Sequence, residues 1–326
     1  MAQQTDLHLR MVIPPAPWTR AIEDGSVRAA GLTWSSDATV DRAPERFIVS
    51  EQADVGENGL RRLILDYLAG GPPVALPVFF GRELMQRNIL VRRDSPLQHP
   101  RDLVGKRVAS WLPVFSGTAA AVLMVLEQAY GLPLAEVEWC LGDSSGLPEN
   151  RLGLKLHPGT EEPDTIPALI RGEYDAVMIT TGPRYWSTFG GGPAHGGVPL
   201  PPEVRPLGGE PERIAEVYRR TGLYVISDLA VLRRELAVER PEIAPALVAA
   251  FAEANRQASR YRDAEEERLA QREIELLGED PHQYGLTPNA RLNLAAYIQF
   301  FYRLGAIPRP IEPEELFVPS TVGVAF

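Results

Sequence analysis

The chain has 326 residues, a length typical of about two domains. Apolar residues make up 44% and charged residues 23%, the balance of a globular protein with enough core to fold without disulfide bonds. The net charge of −10 argues against a general nucleic-acid binder, and no stretch approaches the ~20 apolar residues of a membrane span.

The first residues, MAQQTDLHLRMVIPPAPW, lack a basic segment followed by an apolar one, so they do not resemble a secretory signal. Cys140 is the only cysteine and cannot form an internal disulfide bond. Both observations predict a cytoplasmic protein.

Strand and helix patterns alternate from the start of the chain, which predicts an α/β fold. In the first block we predict strands at residues 7–13, 32–35, 53–55, 74–79 and 89–92, and helices at residues 19–24, 42–50 and 60–68. In the second block we predict strands near residues 106–109, 137–141 and 176–180, helices at residues 116–131 and 165–173, and a long Gly- and Pro-rich loop at residues 183–211.

The third block is more helical. A strand is predicted at residues 224–232, and apolar residues recur at helical spacing in residues 243–258 and 294–304. We therefore predict a discontinuous lobe of residues 1–92 and 226–326 and an inserted lobe of residues 93–225. Two strands would cross between the lobes near residues 90–92 and 225–229, and a ligand would bind in the cleft between them.

Six short segments then stand in a characteristic order. They are residues 53–57 (ADVGE), 76–79 (LPVF), 102–108 (DLVGKRV), 218–222 (YRRTG), 280–286 (DPHQYGL) and 314–321 (EELFVPST). In these segments the chain resembles 4,5-dihydroxyphthalate decarboxylase-like proteins over nearly its whole length. The resemblance implies the two-lobed fold of type 2 periplasmic binding proteins, adapted to the decarboxylation of an aromatic dicarboxylate.

The chain also departs from that family. Residues 85–88 (MQRN) replace a run of Arg-His-Ser-Ser, and Asp228-Leu229 replaces His-Thr on the second crossing strand. Residues 17–20 (PWTR) keep only the last Arg of an Asp-Arg-Thr-Arg pattern. Two histidines are thus missing from expected pocket positions, which favours a changed substrate or a changed reaction.

Sequence motifs for cofactors are missing. The five histidines show no metal-ligand spacing, and there is no GxGxxG segment after the first strand, no phosphate loop and no GxSxG elbow. We therefore expect no cofactor and no metal.

The best candidate anion site is Ser116-Gly117-Thr118, because a helix N-terminus offers free N–H groups and a partial positive charge. Capping of the same helix is the alternative. Arg20 and Arg82 are candidates to bind a carboxylate, against the alternative of a surface ion pair. The candidate substrate-binding set also includes Trp18, Asn58, Asn88, Thr180 and Thr181.

Two acids are candidate catalysts. Glu57 follows a strand and precedes a helix, where capping is the alternative role. Asp228 lies in a largely apolar strand, where a carboxylate is costly unless it is paired or functional.

Together these observations predict a cofactor-independent lyase, a decarboxylase of a small aromatic or unsaturated carboxylate, with Glu57 or Asp228 as general acid or base. The alternatives are a small-anion binding protein without catalysis, and another lyase, dehydratase or cyclase step in biosynthesis. The expected partner is the small carboxylate, without nucleic acid or membrane, and a homodimer is one option for the oligomeric state.

Overall fold

A computed structural model describes residues 6–36, 53–159, 165–179 and 200–324 of the chain. Its strands form two mixed sheets. The strands are β1 Leu7–Val12, β2 Leu32–Ser36, β3 Val55–Gly59, β4 Ala75–Glu83, β5 Ile89–Arg92, β6 Arg107–Ala109, β7 Glu138–Leu141, β8 Lys155–Pro158, β9 Ala176–Met178, β10 Val204–Pro206 and β11 Val225–Leu232.

Helices surround both sheets. They are α1 Arg20–Glu23, α2 Leu60–Leu68, α3 Gly117–Tyr130, α4 Ile166–Ile170, α5 Pro211–Thr221, α6 Arg234–Glu239, α7 Ile243–Arg256, α8 Ala264–Leu277 and α9 Pro288–Leu304. A short 3-10 helix, Met85–Asn88, joins β4 to β5. None of the helices in the described ranges combines the length and apolar character that a bilayer-spanning segment needs.

The first sheet has the strand order β2-β1-β3-β11-β4, and the second has the order β10-β5-β9-β6-β7-β8. In the first sheet β1 runs parallel to β2 and β3, while β11 runs antiparallel to β3 and β4. Strand β5 hydrogen-bonds within the second sheet and β11 within the first. The predicted lobe boundaries at residues 92 and 226 stay predictions.

Helix α3 lies within the largest cluster of buried apolar residues described. Its apolar side chains are buried on almost every side, as expected for a helix without a polar face. It contacts α9, β11 and the 3-10 helix Met85–Asn88. At its end Gly131 adopts a φ of 64°, a left-handed conformation that glycine reaches without strain and that ends the helix.

Most predicted strands and helices in the described ranges are confirmed, with three corrections. The strand predicted at residues 53–55 is instead β3, because Asp54 is buried and bonded to Arg10 and Arg233, while the polar residues after it pair with β11. The loop predicted at residues 183–211 contains the edge strand β10, where a proline is tolerated. The exposed strand β8 and the helices α5 and α6 were not predicted. The helix predicted at residues 42–50 lies outside the described residues.

Candidate functional site

A cavity of about 450 Å³ lies where the ends of four elements meet. It is bounded by the β3–α2 junction, the N-terminus of α3, the first half of β11 and the middle of α9. The side chains and backbone that line it are Asn58, Gly59, Leu60, Arg61, Arg62, Ser116, Gly117, Thr118, Ala121, Val225, Ser227, Asp228 and Tyr297. The cavity is therefore enclosed by residues far apart in the sequence.

Two helices begin at this cavity. Ser116 caps α3, and its Oγ accepts a hydrogen bond of 3.2 Å from the N–H of Ala119. One cap satisfies only one of the donors in a helix's first turn, so capping by Ser116 is compatible with anion binding by the N–H groups of Gly117 and Thr118. Helix α2 starts after Gly59 without any side-chain cap. Both helix N-termini make the cavity favourable for negative charge.

Arg61 brings a full positive charge to the same place. Its guanidinium lies 5.4 Å from the ring centroid of Phe115, which belongs to the loop before α3. Within the described residues no carboxylate lies within ion-pair distance of Arg61, and its buried Nε has no hydrogen-bond partner. The neighbouring Arg62 instead binds Asp66 through hydrogen bonds of 2.8 and 2.9 Å. Arg61 is thus the cation in the cavity that is available to a ligand.

Asp228 lines the same cavity from β11. Ile226 pairs with Arg82 and Asp228 with Gly81, so Ser227 is an extra residue that forms a β-bulge. The bulge brings the side chains of Ser227 and Asp228 together, and Ser227 Oγ donates a hydrogen bond of 2.6 Å to Asp228 Oδ2. Burial raises the pKa of Asp228, and the hydrogen bond from Ser227 opposes that rise only in part. Asp228 is suited to hold a proton at higher pH than an exposed aspartate.

Tyr297 of α9 completes the cavity. Its hydroxyl donates to the carbonyl oxygen of Gly117, at the start of α3, over 3.5 Å. Burial raises the pKa of Tyr297; the charge of Arg61 lowers it and that of Asp228 raises it further. The phenol therefore stays neutral and can donate a hydrogen bond.

The structure brings together part of the predicted site. Asn58, Ser116, Gly117, Thr118 and Asp228 all line the cavity. Glu57 lies on β3 opposite Ala230, one residue before the lining begins. Thr180 and Thr181 lie outside the described residues.

Four predicted ligand-binding residues are placed elsewhere. Arg82 is buried behind the cavity, where its guanidinium donates to Asn289 Oδ1 at 2.7 Å and lies over the ring of Tyr224. Asn88 is buried in the 3-10 helix beside Met85, and Trp18 packs in the core. Arg20 is exposed and pairs with Glu23 at 2.7 Å, the alternative that its sequence allowed.

Sequence reasoning missed Arg61, Ser227 and Tyr297. Arg61 had a signal, since it stands in the first turn of the helix that follows the ADVGE segment. Tyr297 lies among the apolar residues of α9 and resembles core, and the bulge at Ser227 leaves no mark in the sequence.

A larger cavity of about 740 Å³ lies between α7, α8 and the start of α9. Its three lining arginines are already paired with carboxylates: Arg256 with Glu253 at 2.8 Å, Arg262 with Glu267 at 3.0 Å, and Arg291 with Glu314 at 2.6 Å. It therefore offers a ligand less uncompensated charge than the smaller cavity does. In the described ranges no group of three or more His, Cys, Asp or Glu residues is placed to hold a metal ion.

The chain is similar in sequence to known proteins. No protein-family model matches the chain. A 4,5-dihydroxyphthalate decarboxylase from Comamonas testosteroni is 31% identical over 290 residues, which cover 82% of this chain and 83% of that protein. A second 4,5-dihydroxyphthalate decarboxylase, from Pseudomonas putida, is 32% identical over 146 residues, which cover 42% of this chain and 54% of that protein.

Solved structures resemble the whole architecture. The periplasmic aliphatic sulphonate binding protein SsuA from Escherichia coli matches with a TM-score of 0.55 at 15% identity, covering 96% of this chain and 98% of SsuA. The desulfurization enzyme DSZB matches with a TM-score of 0.51 at 17% identity, covering 97% of this chain and 98% of DSZB. At such identities the likeness shows the fold alone, and that fold is the type 2 periplasmic-binding-protein-like fold predicted from the sequence.

Proposed function

The chain belongs to the 4,5-dihydroxyphthalate decarboxylase family, and from this membership we propose that it is a cofactor-independent decarboxylase of a small aromatic or unsaturated carboxylate. The substrate would bind in the 450 Å³ cavity. One observation carries the proposal: an arginine without a carboxylate partner among the described residues, Arg61, shares this cavity with Asp228, an acid whose pKa burial raises.

Arg61 and the N-terminus of α3 hold the substrate's negative charge in this proposal. A guanidinium can bind a carboxylate through two parallel hydrogen bonds, and the guanidinium of Arg61 also makes a cation–π contact of 5.4 Å with the ring of Phe115. The N–H groups of Gly117 and Thr118 line the same cavity, and Gly117 lies next to Arg61: a Cβ atom at Gly117 would stand 3.9 Å from Arg61 Cβ. A carboxylate bound by both would have a defined position in the cavity that Asp228 also lines.

Asp228 supplies the proton. Decarboxylation breaks the bond between a substrate carbon and its carboxylate, and the electron pair of that bond must be accepted by the substrate's own π-system or by a proton. A neutral Asp228 gives its proton to that carbon, carbon dioxide leaves, and the remaining aspartate is reprotonated by water. General acid catalysis of this kind contributes typically about 10²- to 10⁴-fold.

The test is direct turnover. Purified protein is incubated with hydroxylated phthalates, hydroxylated benzoates and unsaturated aliphatic acids, each labelled with ¹³C at the carboxyl carbon, and labelled carbon dioxide is measured by mass spectrometry. In D₂O the product should carry one deuterium at the carbon that lost the carboxylate. If none of these acids loses its carboxylate although some bind, the decarboxylase proposal is wrong.

Binding without turnover is the second candidate function. It is favoured by the lack of histidine at two positions where the family has it, 86 and 228, and by the cation-rich cavity. It predicts that a carboxylate binds the cavity, that Arg61→Gln weakens this binding, and that the ligand is recovered unchanged. A cytoplasmic location and a homodimer stay predictions.

A further inference from the structure

The β-bulge at Ser227 gives Asp228 an asymmetric environment. In a regular strand Ser227 and Asp228 would point to opposite faces, but the extra residue opposite Gly81 and Arg82 turns both side chains to the same side. There is room for them because Gly81 has no side chain; a Cβ atom there would collide with Ser227 Oγ and Asp228 Oδ2. The backbone thus fixes the approach of the hydroxyl to the carboxyl group.

We propose that Ser227 is a positioning residue. Its hydroxyl donates a hydrogen bond to Oδ2 of Asp228, so that Oδ1 is the atom that delivers the proton to the substrate. This inference rests on the proposed function.

The hydrogen bond from Ser227 distinguishes the two carboxyl oxygens of Asp228. Ser227 Oγ donates to Oδ2 at 2.6 Å, and Oδ2 accepts through a lone pair. A protonated carboxyl group carries a single hydrogen, which then sits on Oδ1. Oδ1 lies on the side of Gly59, at 3.6 Å from where a Cβ atom would stand, and Gly59 itself lines the cavity. The acidic hydrogen is therefore on the side of Gly59, which lines the cavity.

The same hydrogen bond serves the step after proton transfer. The Oδ1–H bond breaks, a C–H bond forms at the substrate carbon, the bond to the carboxylate breaks and carbon dioxide leaves. Asp228 is then an anion in a buried place, and the hydrogen bond from the Ser227 hydroxyl stabilises that anion. Besides Asp228, the titratable side chains that line the cavity are Arg61 and Arg62 of α2 and Tyr297 of α9.

The experiment compares Ser227→Ala with the wild type and with Ser26→Ala, which removes an exposed hydroxyl far along the chain. We expect Ser227→Ala to lower kcat about tenfold and to leave KM within about twofold, because the hydroxyl orients the acid and does not bind the substrate. Removing a donor that favours the carboxylate also raises the pKa of Asp228. The alkaline limb of the kcat profile should therefore move to higher pH, and Ser26→Ala should leave the profile unchanged.

A second readout needs no substrate. The ¹³Cγ resonance of Asp228 is titrated by NMR in both proteins, after circular dichroism has shown that the variant is folded. A higher pKa in Ser227→Ala supports the inference; an unchanged pKa together with an unchanged kcat profile overturns it. If the wild type converts no acid, the proposed function has failed, and the NMR titration still decides whether Ser227 holds Asp228.

Discussion

The carboxylate of Asp228 lies directly over Gly81, in the space that any larger residue at position 81 would fill. The two residues face each other in the pairing of β11 with β4, next to the bulge at Ser227. A glycine on one strand therefore makes room for the acid on the other.

Gly81→Ala should displace that acid. Its methyl group would overlap Asp228 Oδ2 and Ser227 Oγ, so we expect a loss of stability of about 1–3 kcal/mol and a large drop in kcat. Urea denaturation and turnover measure the two effects. In a background that already carries Ser227→Ala and Asp228→Ala, the stability cost should shrink, because the atoms that collide are gone. Equal cost in both backgrounds would contradict the close approach.

Asp228→Asn should lower kcat and raise the stability of the folded protein at neutral pH. Because the folded pKa of Asp228 is raised, the wild type keeps its full stability below the unfolded pKa of about 3.9 and loses part of it as pH rises through the folded pKa. The variant does not titrate, so it should become the more stable protein at neutral pH, while kcat falls about 10²- to 10⁴-fold. Thermal unfolding from pH 4 to pH 8 checks the crossover. The exposed Asp94→Asn serves as control and should show neither effect.

Arg61→Gln should weaken the binding of carboxylates. The loss of a charge-assisted, two-pronged contact predicts a rise in Kd of about 10- to 100-fold, with a smaller effect on kcat. Calorimetric titration with a substrate or a non-reacting analogue measures it. Arg101→Gln removes an exposed arginine of the same charge outside the cavity and should leave Kd unchanged. If both variants bind equally well, Arg61 does not hold the ligand.

Arg82→Gln should lower the free energy of unfolding and leave substrate binding nearly unchanged. Arg82 is buried, donates to Asn289 Oδ1 and lies over the rings of Phe79 and Tyr224, so its removal should cost about 2–4 kcal/mol. Because Arg82 does not line the cavity, KM of the folded variant should stay close to that of the wild type. Urea denaturation and KM are measured on the same preparation. A strong rise in KM without loss of stability would restore the role that the sequence suggested for this arginine.

The DPHQYGL segment, residues 280–286, should contribute to the stability of the fold. Its His282 lies 3.0 Å from Glu273 Oε2, and the hydroxyl of Tyr224 donates to Glu273 Oε1 at 2.5 Å, all three side chains being buried. Tyr224→Phe leaves Glu273 without that donor and should cost about 1–3 kcal/mol. Tyr302→Phe, at a partly exposed position, is the control. Urea denaturation that finds both variants equally stable would show that the cluster contributes little.

Much of the fold was readable from local patterns. The helix predicted at residues 116–131, with its start at Ser116 and its end at Gly131, was correct, because capping and termination depend on residues close in sequence. β8 and β10 were missed, since one is exposed and the other contains a proline, and both exist because a neighbouring strand pairs with them.

The candidate site, like the fold, depends partly on local sequence and partly on contacts between distant segments. The sequence alone determined the family, the type 2 periplasmic-binding-protein-like α/β fold, the start of α3 at Ser116 and an unusual acid at position 228, because each depends on residue type, order or short-range periodicity. Only the tertiary structure decided which arginine shares a cavity with that acid. Arg61 in the first turn of α2 and Arg82 near the end of β4 carry the same charge. Arg82 is buried against Asn289 and Tyr224, whereas Arg61 lines the cavity. That choice depends on contacts between distant segments, which no local pattern encodes.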